Sequence, residues 1–580
     1  MIRDWLAETK VRKVRMGRGG MGRALQKRQR NRRPPTKRNE TIETDQKMTK
    51  FACCVFDAAG HTNPLLALTS ELCERGHHVL FVLASPMMVG AIKKSKAKFT
   101  EGPAEEGGSY SFETLWTEED LARFAGPRED IMKGFIPDTE DQTEDQLSFP
   151  NFFLFSWAKG VGTWMDDYKR IAKSVDAFIA DPIMMNPSVV ALMEGKPLIS
   201  TVTFPQFACV PSLIGIEDEE EQRAKMERLE RAVQESSDKL RKDFYPGFNF
   251  FKNFVSSAGM LPTGLNLCTG VKEFDKDLPA LLQRMMGEEA KDSMHYVGPM
   301  VLSEEDGHIS QAPKSDGTVE GAAEDAFPMD RIEQWKAEGR KVIYASFGTV
   351  ASNMTWNWEE ADSGEWYAPH KCMGARQSGK VYCTHLFTQL MEAFGGTRDV
   401  AVVLSSGPHF NECGLEVPEN FLVRPSVPQV EVLEHVDAFV SHGGANSLFE
   451  SIDAAVPLLI LPHFGDQHAN GKMVVDLDIG LYHDDPVAEV TVEVLREDVA
   501  KLLDPQIASK FKRKMQRLHE SIRSAGGARR AVDLIETYVE NFKGHAPAKL
   551  DEPVQVFQRC GTGEIKDFVV VDSEIHSEIH

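Results

Sequence analysis

Short apolar runs alternate along this chain with helical stretches, and turns bearing glycine stand between them. That alternation restricts the chain to folds in which parallel strands are joined by crossover helices. From residue 50 it reads KFACCVFD, AAGHTNP, LLALTSELCERG and HHVLFVLA, which is a strand, a turn, a helix and a second strand. Leu65, Leu68 and Leu72 fall on one face of that helix. VDAFIAD (175–181), a helix near 187–194 and PLISTVT continue the pattern, and MHYVGPM (294–300) is a further short strand. A stretch rich in Gly, Ser, Pro and acid follows, SEEDGHISQAPKSDGTVEGAAEDAFP, which reads as a linker. Strand runs then resume at KVIYASFG (341–348), VAVVLSS (400–406), FLVRPS (421–426), VDAFVSH (436–442) and PLLILP (457–462).

The expected fold class is therefore α/β, with two doubly wound Rossmann-like domains facing across a cleft. Its expected parts are a basic extension over 1–49, a first domain over 50–300, a linker over 301–330, a second domain over 331–545 and a tail over 546–580 without clear periodicity. Sheets of this kind bind ligands beyond the carboxyl ends of their strands, which places the site in the cleft. Met226, Leu229, Val233 and Leu240 mark 217–243 as a surface helix with one buried stripe. In GGARRAVDLIETYVENF, Ala528, Val532, Ile535, Val539 and Phe542 share one face, and this helix is expected to close the last domain.

Charge narrows the partners. The net charge is -22, but residues 1–50 carry +11, so the body carries -33. An acidic body is a poor match for nucleic acid, which needs a basic face. The basic arm is expected to be disordered, with Met48 a candidate start; an organellar or nuclear address and an RNA-binding tail are the other readings. No window approaches 18 consecutive apolar residues, so no transmembrane segment is expected. Nine cysteines, an odd number without a CxxC pair, suit a reducing compartment, and the expected location is cytoplasmic.

The densest chemistry lies in SHGGANSLFES (441–451), between the run VDAFV and the strand PLLILP. His442 ends a strand, Gly443 and Gly444 form the turn, and Asn446, Ser447 and Glu450 fall in the first helical turns. An anion at such a helix start gains from backbone N–H groups and the helix dipole, and two glycines let it approach the backbone. A diphosphate fits, with Glu450 suited to sugar hydroxyls; a turn that only packs tightly fits these eleven residues as well. GARQSGKV (374–381) has phosphate-loop spacing, but Val381 stands where a metal-binding Ser or Thr belongs. The insert around it, with Trp356, Trp358 and Trp366, reads instead as a loop over the cleft. DKD (275–277) sits at a helix entry and is not read as a metal site.

The longer pattern RPSVPQVEVLEHVDAFVSHGGANSLFESIDAAVPLLILPHFGDQHANG (424–471) resembles the signature of family 1 UDP-glycosyltransferases, soluble enzymes that glycosylate small molecules, and a looser resemblance runs from about 50 to 545. The resemblance implies the two-Rossmann GT-B fold and an inverting transfer of a hexose, by default glucose, from a UDP-sugar to a hydroxyl of a small apolar acceptor. It assigns Gln429 to the uracil or ribose, and His442, Gly443, Gly444, Asn446 and Ser447 to the diphosphate. Glu450 falls to the ribose hydroxyls, and Asp466 and Gln467 to the sugar. In YASFGT, Thr349 and Ser346 fall near the phosphates; in AAGHTNP, His61 is the general base, with Asp181 as its carboxylate partner. No metal and no cofactor are implied beyond the UDP-sugar co-substrate. The chain departs from the family at Ser426, where an aromatic ring normally stacks on the base, a contact worth about 1 to 3 kcal/mol. That departure leaves nucleotide identity open, and with it the alternative of a nucleotide-sugar or glycoside-binding protein of the same fold with weak or no catalysis.

Overall fold

Strands buried on both faces must be apolar throughout, and the runs read above assemble into two all-parallel sheets. The computed structural model describes residues 48–55, 59–84, 88–103, 108–115, 164–181, 184–203, 242, 264–274, 294–301, 327–348, 350–356, 377–544, 554–556 and 569–571. The first sheet holds β1 (Lys50–Val55), β2 (His78–Leu83), β3 (Thr100–Glu101), β4 (Ser109–Thr114), β5 (Ala177–Ala180), β6 (Leu198–Val202), β7 (Leu265–Cys268) and β8 (Met294–Tyr296), in the order β3-β4-β2-β1-β5-β6-β7-β8. The second holds β9 (Lys341–Ser346), β10 (Val400–Ser405), β11 (Phe421–Arg424), β12 (Ala438–Ser441), β13 (Leu458–Ile460) and β14 (Gly480–Tyr482), in the order β11-β10-β9-β12-β13-β14.

Helices α1 (Ala59–Glu74), α2 (Val89–Ser95), α3 (Met165–Ala172) and α4 (Met185–Met193) accompany the first sheet. Those that follow are α5 (Met329–Ala337), α6 (Gly379–Phe394), α7 (Gln429–Leu433), α8 (Ala445–Ala454), α9 (Gln467–Asp476), α10 (Pro486–Glu489), α11 (Val492–Leu503), α12 (Pro505–Ala525) and α13 (Gly527–Asn541). In the tail, Val554–Val556 and Val569–Val571 pair antiparallel.

Each sheet has one point where the strand order reverses. In the first it lies between β1 and β5, paired through Cys54 and Ala180; in the second between β9 and β12, paired through Ser346 and Ser441. Loops leaving neighbouring strands diverge there and open a crevice. Both stretches singled out by sequence leave a sheet at these crevices.

Three expectations need correcting. AAGHTNP does not form a separate turn: α1 begins at Ala59, with Pro64 inside it. A proline so near the start costs one ladder bond, to the carbonyl of Gly60, and the apolar face beyond it (Leu65, Leu66, Leu68, Leu72) is fully buried and holds the helix. The helix expected to close the last domain, α13, closes the first lobe instead. Its Ala531, Val532 and Ile535 share a core with Phe51, Leu68 and Ile179, and Arg75 pairs with its Asp533 and Glu536 at 2.7 and 2.8 Å. A buried stripe shows that a helix docks, not on which sheet. Trp356 is not part of a loop over the cleft: it is 1% exposed, stacked on His409, and its Nε1 donates to Glu412 Oε2 at 2.9 Å. Trp358, Trp366, DKD and nearly all of the linker and of 217–243 lie outside the described residues.

The phosphate-loop lookalike is a helix cap. Ser378 precedes α6, and its hydroxyl accepts from the Val381 N–H at 3.2 Å. Lys380, the residue that would meet a phosphate, faces Glu412 at 3.8 Å.

Candidate active site

His61 lies in the first turn of α1, directly beyond β1, and Asp181 is the residue after β5. Because β1 and β5 are neighbours at the switch point, the two side chains meet: Nδ1 of His61 is 2.7 Å from Asp181 Oδ2. Asp181 is fully buried. Thr203, just past β6, brings its hydroxyl within 3.2 Å of the same nitrogen. A carboxylate on Nδ1 selects the tautomer that carries its proton there, leaving Nε2 as the basic nitrogen. Burial pulls the imidazole pKa down, but the charge and hydrogen bond of Asp181, together with the charge of Asp466, overcome it and raise the pKa above 6.5. Asp466 belongs to the second lobe, so the two switch points face one another across a short gap.

In the second lobe, His442 follows β12, and its backbone N–H donates to the Ser346 carbonyl at 3.2 Å. Burial pushes the His442 pKa down to about 4, so it offers a hydrogen bond rather than a charge near neutral pH. The flanking glycines have a packing duty, the second of the two readings that the sequence left open. A Cβ on Gly444 would lie 2.5 Å from His442 Nε2, and one on Gly348 would lie 2.7 Å from it. Gly443 has φ +85°, and a Cβ there would approach Ile460 Cγ2 to 2.7 Å. Room is thus reserved first for the His442 ring and for Ile460. Beyond them α8 starts at Ala445, capped by Gly444 without a side-chain bond, so its opening N–H groups have no partner within the helix.

The other nominated residues gather around this helix start. Gln429, at the start of α7, donates from Nε2 to Ser447 Oγ at 3.0 Å and to Glu450 Oε2 at 2.6 Å. Its Oε1 accepts from the Tyr344 hydroxyl at 3.0 Å, and Tyr344 in turn stacks on Phe439. Tyr344, which opens YASFGT, belongs to this network; the resemblance singles out Ser346 and Thr349 in that stretch. Asn446 is half-buried, Ser447 and Glu450 are buried, and Ser426 is half-buried. Gln467 is buried with Oε1 accepting from the backbone N–H groups of His463 and Phe464, at 2.8 and 3.1 Å, so only its NH₂ can serve a ligand. Asp466 precedes α9; burial raises its pKa, against the opposing hydrogen bond from Asn470 and the charge of His61. Thr349 lies outside the described residues. Among the described residues no helix is long and apolar enough to cross a membrane.

Comparison with known proteins finds glycosyltransferases. Residues 415–545 match the family described as UDP-glucoronosyl and UDP-glucosyl transferase. The NDP-glycosyltransferase YjiC of Bacillus subtilis (strain 168) is 40% identical over 141 residues, which are 24% of this chain and 34% of that protein. The NDP-glycosyltransferase YjiC of Bacillus licheniformis is 24% identical over 489 residues, 83% of this chain and 96% of that protein. Among solved structures, the glycotransferase of kitacinnamycin superposes with a TM-score of 0.56 at 21% identity, over 85% of this chain and 99% of its own. That likeness establishes the two-lobed GT-B fold.

Proposed function

We propose that this chain is a family 1 glycosyltransferase and that it transfers a hexose, by default glucose, from a UDP-sugar to a hydroxyl of a small apolar acceptor, with inversion at the anomeric carbon. The observation that carries this reading is the His61–Asp181 pair, 2.7 Å apart at one switch point, within electrostatic reach of Asp466 from the other. An alcohol near neutral pH is a poor nucleophile until its proton is removed in the transition state, and a neutral imidazole is suited to remove it.

In this scheme the acceptor oxygen attacks the anomeric carbon as its proton passes to His61 Nε2. The bond from that carbon to the diphosphate oxygen breaks, and its electron pair leaves with UDP. Asp181 stabilises the imidazolium that forms. The departing diphosphate settles at the start of α8, where N–H groups, the helix dipole and the neutral His442 meet its charge. Gln429 and Glu450, already bonded to each other, present an acceptor to the ribose hydroxyls. We propose that no metal takes part, and place the enzyme in a reducing compartment such as the cytoplasm, in keeping with six described cysteines that are all free thiols.

The test is a panel of UDP- and dTDP-sugars against phenolic and macrolide acceptors, read by mass spectrometry with and without EDTA. Transfer from a UDP-hexose that survives EDTA is expected. Nucleotide-sugar binding without transfer to any acceptor in the panel would point to a binding protein instead.

A further inference from the structure

Asn470 sits in the first turn of α9, four residues past Asp466, and its side chain is fully buried. Its Nδ2 donates twice, to the Gly443 carbonyl at 2.9 Å and to Asp466 Oδ2 at 2.8 Å. A backbone carbonyl and a carboxylate can only accept, so the amide nitrogen must face them; Oδ1 points away and meets no partner among the described residues. The same turn is held from its other side, where the Gly443 N–H donates to Ser441 Oγ at 3.1 Å. One buried amide therefore ties the turn after β12 to the carboxylate before α9.

We propose that Asn470 is a positioning residue that fixes the sugar-facing carboxylate of Asp466 to the turn that receives the diphosphate, so that both parts of one donor molecule are met at a set spacing. This rests on the donor-site reading given above. Asp466 is half-buried, and a carboxylate partly withdrawn from water stays ionised and oriented best while hydrogen-bonded. Without the amide it is free to rotate or to take up a proton, and in either state it is a poorer acceptor for sugar hydroxyls. The turn itself keeps Ser441 and the bond from the Leu448 N–H to the Gly444 carbonyl, at 3.0 Å, so it retains its shape. Loss of Asn470 should accordingly fall on the sugar and spare the nucleotide.

Calorimetry of the whole protein with UDP and with UDP-glucose, on wild type, Asn470→Leu, Asp466→Ala and the double variant, reads this directly. Asn470→Leu keeps the volume and removes both donors. It is expected to weaken UDP-glucose by about 10-fold or more, the scale of one lost bond to a charged group, and UDP by no more than about threefold. KM for the donor should rise with it. In the Asp466→Ala background the second substitution should add almost nothing, because its partner is gone. Asn470→Ser, which keeps one shorter donor, should fall between, and it carries the same comparison if the Leu variant does not fold. Equal weakening of both ligands, an unchanged ratio between them, or additive losses in the double variant would overturn the proposal. Wild-type protein that binds neither ligand would overturn the donor-site reading first, and this inference with it.

Discussion

Replacing His61 with alanine is expected to lower kcat by about 10²- to 10⁴-fold, the usual contribution of a positioned general base, and to leave UDP affinity within about twofold. The separation follows from placement. His61 belongs to α1 in the first lobe, whereas the residues assigned to the nucleotide all lie between Tyr344 and Gln467 in the second. Losing the base removes an interaction made in the transition state, and ground-state binding of the nucleotide does not depend on it. Steady-state kinetics and calorimetry on one preparation read both numbers. Folding should survive, because the ring is partly exposed and packs no core. Full transfer activity in this variant would remove His61 from the chemistry.

Asp181→Asn should cost a comparable amount, about 10²- to 10⁴-fold in kcat, because an asparagine amide can donate to Nδ1 and so stabilise the tautomer whose Nε2 already carries the proton. It also carries a distinct sign. Burial lowers the His61 pKa, while the charge and hydrogen bond of Asp181, with help from Asp466, raise it above 6.5 overall. Neutral His61 is the active form, so wild-type log kcat/KM should fall as pH drops through that raised value. In Asp181→Asn the two largest raising effects vanish, and the acid limb moves to lower pH even as the plateau drops. A limb that stays in place would mean that another group sets it. Linkage adds a consequence for stability: the pair's contribution is fully present below the unfolded imidazole value of 6.5 and is lost as pH rises through the folded one. The pH range in which the base works is the range in which it no longer stabilises the fold.

Much of this was legible in the sequence because it depends on local chemistry. Runs such as KVIYASFG and VDAFVSH can only be buried parallel strands in such an alternation, and β9 and β12 fall within them. Asp181 ends one such run and His61 follows another, in the helix that leaves it, and parallel pairing at a switch point brings the ends of β1 and β5 together whatever lies between. What could not be read was tertiary. The stripe on α13 is the same whether it docks on the first sheet or the second, and the core it shares with Phe51 and Ile179, with Arg75 reaching Asp533 and Glu536, decides it. Tyr344 opens YASFGT and Asn470 stands near the end of the 424–471 pattern, but their bonds to Gln429, Gly443 and Asp466 are tertiary and have no trace in the spacing. The sequence leaves Gly443 and Gly444 open to ligand access or to tight packing; their missing side chains make room for Ile460 and His442.

A structure determined with UDP bound tests the central claim most directly. The diphosphate should lie within about 3 Å of the backbone N–H groups that open α8 and beside the His442 ring, its outer phosphate turned toward His61 across the cleft. Density for UDP at any other place, or a diphosphate at α8 whose outer phosphate points away from the first lobe, would contradict it.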